Sequence, residues 1–125
     1  MEEYRLSNYA FSEQFKLRTK AFSVRIIKLF QALPKDAEAY ILGKQLLRSA
    51  TSVGANYRAA CRARSKAEFV AKVGVSLEEA DESQFWLELL VESNIVRSHR
   101  LQDIMKEASE IIAILTTIRK NASKK

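Results

Sequence analysis

LQDIMKEASEIIAILTTI, Leu101 to Ile118, decides the fold. Leu101, Ile104, Ala108, Ile111, Leu115 and Ile118 follow one another at spacings of 3, 4, 3, 4 and 3. At helical pitch these side chains share one face, and the charged residues between them turn elsewhere. A helix of this kind holds its shape when a second apolar face covers the first.

Reading outward finds three such faces. Upstream, Ser65-Lys66-Ala67-Glu68 is a capping box, which starts a helix by satisfying orphan backbone amides. Phe69, Val73, Leu77, Ala80, Leu87 and Leu90 make its stripe, which stops near Ser93-Asn94. Before it, a helix starting after Asp36 carries Leu46, Ala50, Val53, Tyr57 and Ala60 inward. The first helix places Phe15, Phe22, Ile26, Leu29 and Leu33 on one face, with Thr19 in the remaining place. Ser12 is its expected N-cap. Pro34, the only proline, ends it by disfavouring helical geometry in the residue before. β-Branched alternation is absent, and NASKK at the end is expected to fray. The expectation is an all-α chain, a single antiparallel up-down-up-down four-helix bundle with helices about 13–33, 37–63, 66–93 and 99–120.

A chain of 125 residues suits one domain with its own core. The lone Cys61 forms no internal disulfide, which fits a reducing compartment. MEEYRLSNYAFSEQF has no apolar run of the signal-peptide kind, and no stretch approaches a membrane span. A cytoplasmic protein without a membrane partner is expected. The net charge of +6 is uneven: 12 Lys or Arg against 5 Asp or Glu in residues 1–64, 3 against 7 in 65–99, and 6 against 3 in 100–125. Basic and acidic segments of this kind can attract each other, within or between chains. They can also leave a basic face for an anion such as nucleic acid.

Two features exceed what one bundle needs. Gly43, Gly54 and Gly74 lie inside helices, where each costs about 1 kcal/mol relative to alanine. Gly54 sits in the small-residue run Ser49 to Ala55, which suits close approach of another helix. Phe85-Trp86-Leu87-Glu88-Leu89-Leu90-Val91 is apolar nearly all round and needs cover nearly all round. Gly54, Phe85, Trp86 and Leu89 are therefore candidates for an oligomer interface.

Catalytic chemistry finds no foothold. His99, the only histidine, stands in an RSHR turn without an acidic or thiol partner in the local pattern. Cys61 reads as a small buried residue rather than a nucleophile. No phosphate-cradling glycine loop and no G-x-S-x-G occurs. Glu78-Glu79-Ala80-Asp81-Glu82 lies on a single helix and no Glu-x-x-His is present, so an ion-paired or solvated face fits better than a metal centre. No cofactor is expected.

SVGANYRAACRARS, Ser52 to Ser65, carries the open question. Lys44, Arg48, Arg58 and Arg62 fall near one side of the second helix, and Arg64, Lys66 and Lys72 extend the charge around the turn. Arginine forks suit phosphates and carboxylates equally. Lys44, Arg48, Arg58, Arg62, Arg64 and Lys66 are candidate RNA or DNA contacts of low sequence specificity, since no RNP strand or zinc finger is present. The alternative is a protein-interaction scaffold whose cations pair with Glu78, Asp81, Glu82 or Glu88 of a neighbour, with Trp86 and Leu89 as anchors.

The order of these features resembles the small bacterial four-helix bundle family named after the intervening sequences of 23S rRNA genes. The resemblance rests on Leu33-Pro34, on Arg48-Ser49-Ala50-Thr51-Ser52-Val53-Gly54-Ala55-Asn56, on Arg64-Ser65-Lys66-Ala67-Glu68-Phe69, and on Glu79-Ala80-Asp81-Glu82. It spans about residues 11 to 120. Many members read S-V-P-x-N-I-A-E-G, where this chain has Ser52-Val53-Gly54-Ala55-Asn56-Tyr57-Arg58-Ala59-Ala60, so a role tied to that glutamate does not carry over. The resemblance implies an antiparallel bundle assembled as a ring, a homopentamer. More distantly, the chain is similar to the accessory bundle protein of diversity-generating retroelements, which implies a basic pentamer that binds nucleic acid and a reverse transcriptase.

Overall fold

The computed structural model describes residues 2–124, with side chains from Asn8 onward; Met1 and Lys125 lie outside the described residues. Four helices follow in order: α1 (Glu2–Ala32), α2 (Ala37–Cys61), α3 (Lys66–Glu92) and α4 (Ser98–Ser123). Each packs against its neighbours in sequence, and α1 closes on α4 along a thinner seam. Gly54 meets Thr19 and Gly43 meets Leu33; Ser76 bonds Val53 and Ser83 bonds Ser49; Gln84 reaches Met105 and Gly74 lies beside Arg119; consecutive helices therefore run antiparallel. This is the up-down-up-down bundle that the spacing predicts.

The inward rows are those of the sequence. Phe15, Thr19, Phe22, Ile26 and Leu33 are buried on α1 and the turn that follows it, and Leu46, Ala50, Val53, Tyr57 and Ala60 on α2. Val73, Ala80, Leu87 and Leu90 are buried on α3, and Leu101, Ile104, Ala108, Ile111 and Leu115 on α4. The gap in the α3 row is filled by Ser83. Its hydroxyl lies 3.0 Å from the Ser49 hydroxyl across the α2–α3 contact. Ser76 donates to the Val53 carbonyl at 2.8 Å, so these buried hydroxyls are satisfied.

Helix ends differ from expectation in places. α1 begins well before residue 13, and Ser12 is a helix-interior residue, not an N-cap. No Gly or Pro interrupts the chain ahead of it, and Phe11 stacks on Phe15 with ring centroids 5.8 Å apart, carrying the helix on. α2 ends at Cys61 rather than Ala63, its last turn tightening as Arg62 N–H donates to the Ala59 carbonyl. α3 ends at Glu92, with Ser93 as its C-cap. α4 starts at Ser98 and stays helical through Ser123, so most of the NASKK tail is ordered helix.

The starts of α2 and α3 and the end of α3 follow their chemistry, whereas Arg97 precedes α4 without a side-chain capping bond. Asp36 accepts from the Ala39 amide at 2.9 Å, and Ser65 accepts from the Glu68 amide at 3.1 Å. α3 closes in a Schellman motif: Asn94 takes φ 62°, its amide donates to Val91 O, and the Ile95 amide donates to Leu90 O.

Two glycines mark where α2 meets α1. A Cβ on Gly43 would stand 2.7 Å from Leu33 Cδ1, and one on Gly54 would stand 3.4 Å from the Thr19 backbone. Small residues at these positions let α1 lie close. The α1–α4 seam is tied instead by charge. Arg18 forks onto Glu107 at 2.8 and 2.7 Å and reaches Glu110 at 2.6 Å. The Arg18 hydrogen bond holds the Glu107 carboxyl below its usual range, against the opposing pull of burial.

Candidate nucleic-acid interface

The bundle sorts the six candidate cations by direction. Arg48 is engaged within its own chain: its guanidinium reaches Glu79 at 3.3 Å and Glu82 at 2.5 Å. Glu82 also accepts from Trp86 Nε1 at 3.5 Å. Part of the acidic EEADE segment is thus an ion-paired face. Lys44 is exposed and stands over the Tyr40 ring, 5.0 Å from its centroid.

The other four lie toward one end of the molecule. Arg58 is exposed and Arg62 is exposed beside it, and both line a groove of about 490 Å³ between α1 and α2. Arg64 is exposed in the α2–α3 turn. Lys66 Nζ donates to the Lys124 carbonyl at 2.6 Å, which brings the α2–α3 turn beside the last turn of α4. Among the described residues, Arg58, Arg62 and Arg64 make no salt bridge.

Four further cations join this end, and the pattern along α2 alone does not single them out. Lys16 and Lys20 line the same groove from α1. Their signal was present: they sit one turn apart, each beside a buried position, Phe15 and Thr19. Lys120 and Lys124 arrive with the end of α4, Lys124 from the tail expected to fray. Lys16 pairs with Glu13; Lys20 has no such partner among the described residues. The resulting surface gathers charge from α1, α2, the α2–α3 turn and α4. Several exposed cations gathered at one end are what phosphate neutralisation requires.

The interface candidates divide likewise. Gly54 faces α1 of its own chain and the floor of the groove. Phe85 is 50% exposed, whereas Trp86 is half-buried and packs against the core. The two rings meet edge to face at 5.1 Å. Leu89 is half-buried.

The groups with reactive chemistry stand apart. His99 is exposed in the first turn of α4, beside Arg97 and Arg100. Cys61 is half-buried and neighbours Tyr57. Burial pushes the Tyr57 phenol up to about 12, with the neighbouring Cys61 adding to the rise. Among the described residues no cluster of His, Cys, Asp or Glu has the makings of a metal site. No described helix is long and apolar enough to cross a membrane.

Known proteins resemble the chain in sequence and fold. The family described as 23S rRNA-intervening sequence protein matches residues 11–117. A solved structure, at 1.70 Å, is that of a protein of unknown function from the S23 ribosomal protein family of Bacteroides thetaiotaomicron VPI-5482. The chain is 37% identical to it, with a TM-score of 0.79, over 84% of this chain and 97% of that one. No curated protein matches the sequence significantly.

Proposed function

The chain belongs to the family of 23S rRNA-intervening sequence proteins, and on that footing we propose that it is a non-enzymatic, cytoplasmic, oligomeric bundle that binds RNA or DNA through its basic end. One observation supports this above others. Among the described residues, Arg58, Arg62 and Arg64 are exposed without carboxylate partners, and the fold adds Lys20, Lys120 and Lys124 to them, with Lys16 paired to Glu13 beside them. Contacts to phosphate carry no base information, so sequence specificity is low. Assembly into a homopentameric ring, which the family resemblance implies, would repeat the basic end around an axis.

A second reading, a protein-interaction scaffold, draws on the outer faces. Leu17 is 67% exposed and Ile41 60%, with Val24, Ile27 and Tyr40 also exposed on the same two helices. Phe85 and Val75 are exposed on α3. Exposed apolar side chains that adjoin one another suit a partner surface.

The test is a mobility shift with a labelled RNA at low ionic strength, repeated as salt rises. Binding is expected, with a steep linear fall of log affinity against log salt. Combined Arg58→Ala, Arg62→Ala and Arg64→Ala should flatten that slope by about 2, since each phosphate neutralised on a single strand contributes about 0.7. An intact, folded protein that shifts no RNA at low salt refutes the reading. Native mass spectrometry of a Trp86→Ser, Leu89→Ser variant addresses assembly, and a fully assembled variant excludes those two residues as anchors.

A further inference from the structure

We propose that the nucleic acid taken by this surface is single-stranded, with its backbone lying lengthwise in the α1–α2 groove and a base stacked on Tyr9. The inference rests on the nucleic-acid reading above and specifies its ligand.

The groove has two walls and a floor. Lys16 and Lys20 stand one turn apart on α1, and Arg58 and Arg62 one turn apart at the end of α2. A helical turn rises about 5.4 Å, so the cations form two rows along the groove rather than a ring around a point. The floor is small and weakly polar: Gly54, Ala55, Ser23 and Thr51. The Ser23 hydroxyl donates to the Ala50 carbonyl at 3.3 Å and the Thr51 hydroxyl to the Leu47 carbonyl at 2.8 Å, so both hydroxyl protons are already committed; Lys16 pairs with Glu13, and Lys20, Arg58 and Arg62 are left to meet the phosphates. Gly54 allows α1 to lie close to α2, and Ala55 leaves space above that contact.

Width decides the strandedness. Packed helices have axes about 8–10 Å apart, so the valley between them is too narrow for a duplex. A duplex would rest on the rim and meet the arginine tips only. A volume of about 490 Å³ has room for a short stretch of one strand.

Single-strand binders combine a basic track with an exposed aromatic face, because every base has a surface to stack. The cavity beyond Glu13 and Lys16 supplies that face. It continues along α1 to Tyr9, which is 66% exposed. Leu17, exposed where it lines the groove, offers apolar contact to sugar or base. Tyr9 lies on α1, the helix that carries Lys16 and Lys20, and the two cavities meet at Lys16 and Glu13, which line both.

Fluorescence anisotropy on the full chain tests this, with a labelled single-stranded RNA of mixed sequence and the same strand annealed to its complement. The single strand is expected to bind at least about tenfold more tightly at low salt. Ala55→Trp, which fills the groove from an exposed position, should lower single-strand affinity by about tenfold and leave the duplex nearly unaffected. Tyr9→Ala should weaken single-strand binding several-fold with an unchanged salt slope, the signature of lost stacking rather than lost charge. Circular dichroism verifies that each variant is folded. Equal affinity for both RNAs, or a folded Ala55→Trp that binds the single strand as before, overturns this inference and leaves the phosphate-binding reading standing. Binding to neither RNA overturns both.

Discussion

The α1–α4 seam is the thinnest in the bundle, and Arg18→Ala removes the ion pairs that tie it. Two unit charges about 4 Å apart attract by about 4 kcal/mol at an effective dielectric of about 20. Arg18 keeps 35% of its side chain exposed and Glu107 19%, so solvent screening and side-chain ordering offset more than half of that. A net of about 1–2 kcal/mol remains, consistent with a bidentate, partly buried fork. The sign with pH follows from Glu107. Its carboxyl titrates lower in the folded protein than in the unfolded chain, chiefly through the Arg18 hydrogen bond. The contribution is therefore complete above the unfolded value, about 4.3, and is lost as pH falls through the folded one. The assay is a double-mutant cycle of Arg18→Ala and Glu107→Gln by urea unfolding at fixed protein concentration. A coupling of about 1–2 kcal/mol is expected near neutral pH, fading at acid pH. A coupling under about 0.3 kcal/mol at neutral pH, or one that stays constant into acid, would refute the reasoning.

The two glycines of α2 should separate under the same assay. Gly54→Ala places its Cβ at ordinary contact distance, 3.4 Å from Thr19, and should keep most of the helix gain of about 1 kcal/mol. Gly43→Ala places one at 2.7 and 2.9 Å from Leu33 and Phe30, where overpacking of about 1–3 kcal/mol outweighs that gain. Gly43→Ala should thus be the less stable variant, and the reverse order would show that α1 repacks freely. Tyr57 should ionise near pH 12, later than an ordinary phenol, in a spectrophotometric titration. Because its folded value is raised, the stability it contributes is full below about 10 and lost as pH rises through the folded value. Tyr57→Phe should remove the late phase of absorbance, and an unchanged titration would place that phase elsewhere.

Helix identity was legible because it rests on local periodicity. The α4 row from Leu101 to Leu115 is buried in the structure, and Thr19 fills the polar place in the α1 row as its spacing requires. Helix ends were less legible. Ser12 has the chemistry of an N-cap, but nothing ahead of it breaks a helix, so the helix ran through it. The tail after Lys120 looks polar and free in sequence. In the fold, Lys66 bonds the Lys124 carbonyl there.

Four amphipathic helices, their antiparallel order and the basic character of the α2–α3 junction are legible in the residues alone, since each depends on neighbours within a few residues. Packing between helices sets which cations lie together. Arg48 stands apart from the others because the α2–α3 register brings it to Glu79 and Glu82, thirty-one and thirty-four residues away. Lys16, Lys20, Lys120 and Lys124 entered because packing brings α1 and the end of α4 to the same end as Arg58, Arg62, Arg64 and Lys66. Whether a cation is paired or free depends on which carboxylate the fold sets beside it, and that distance is fixed by packing between helices.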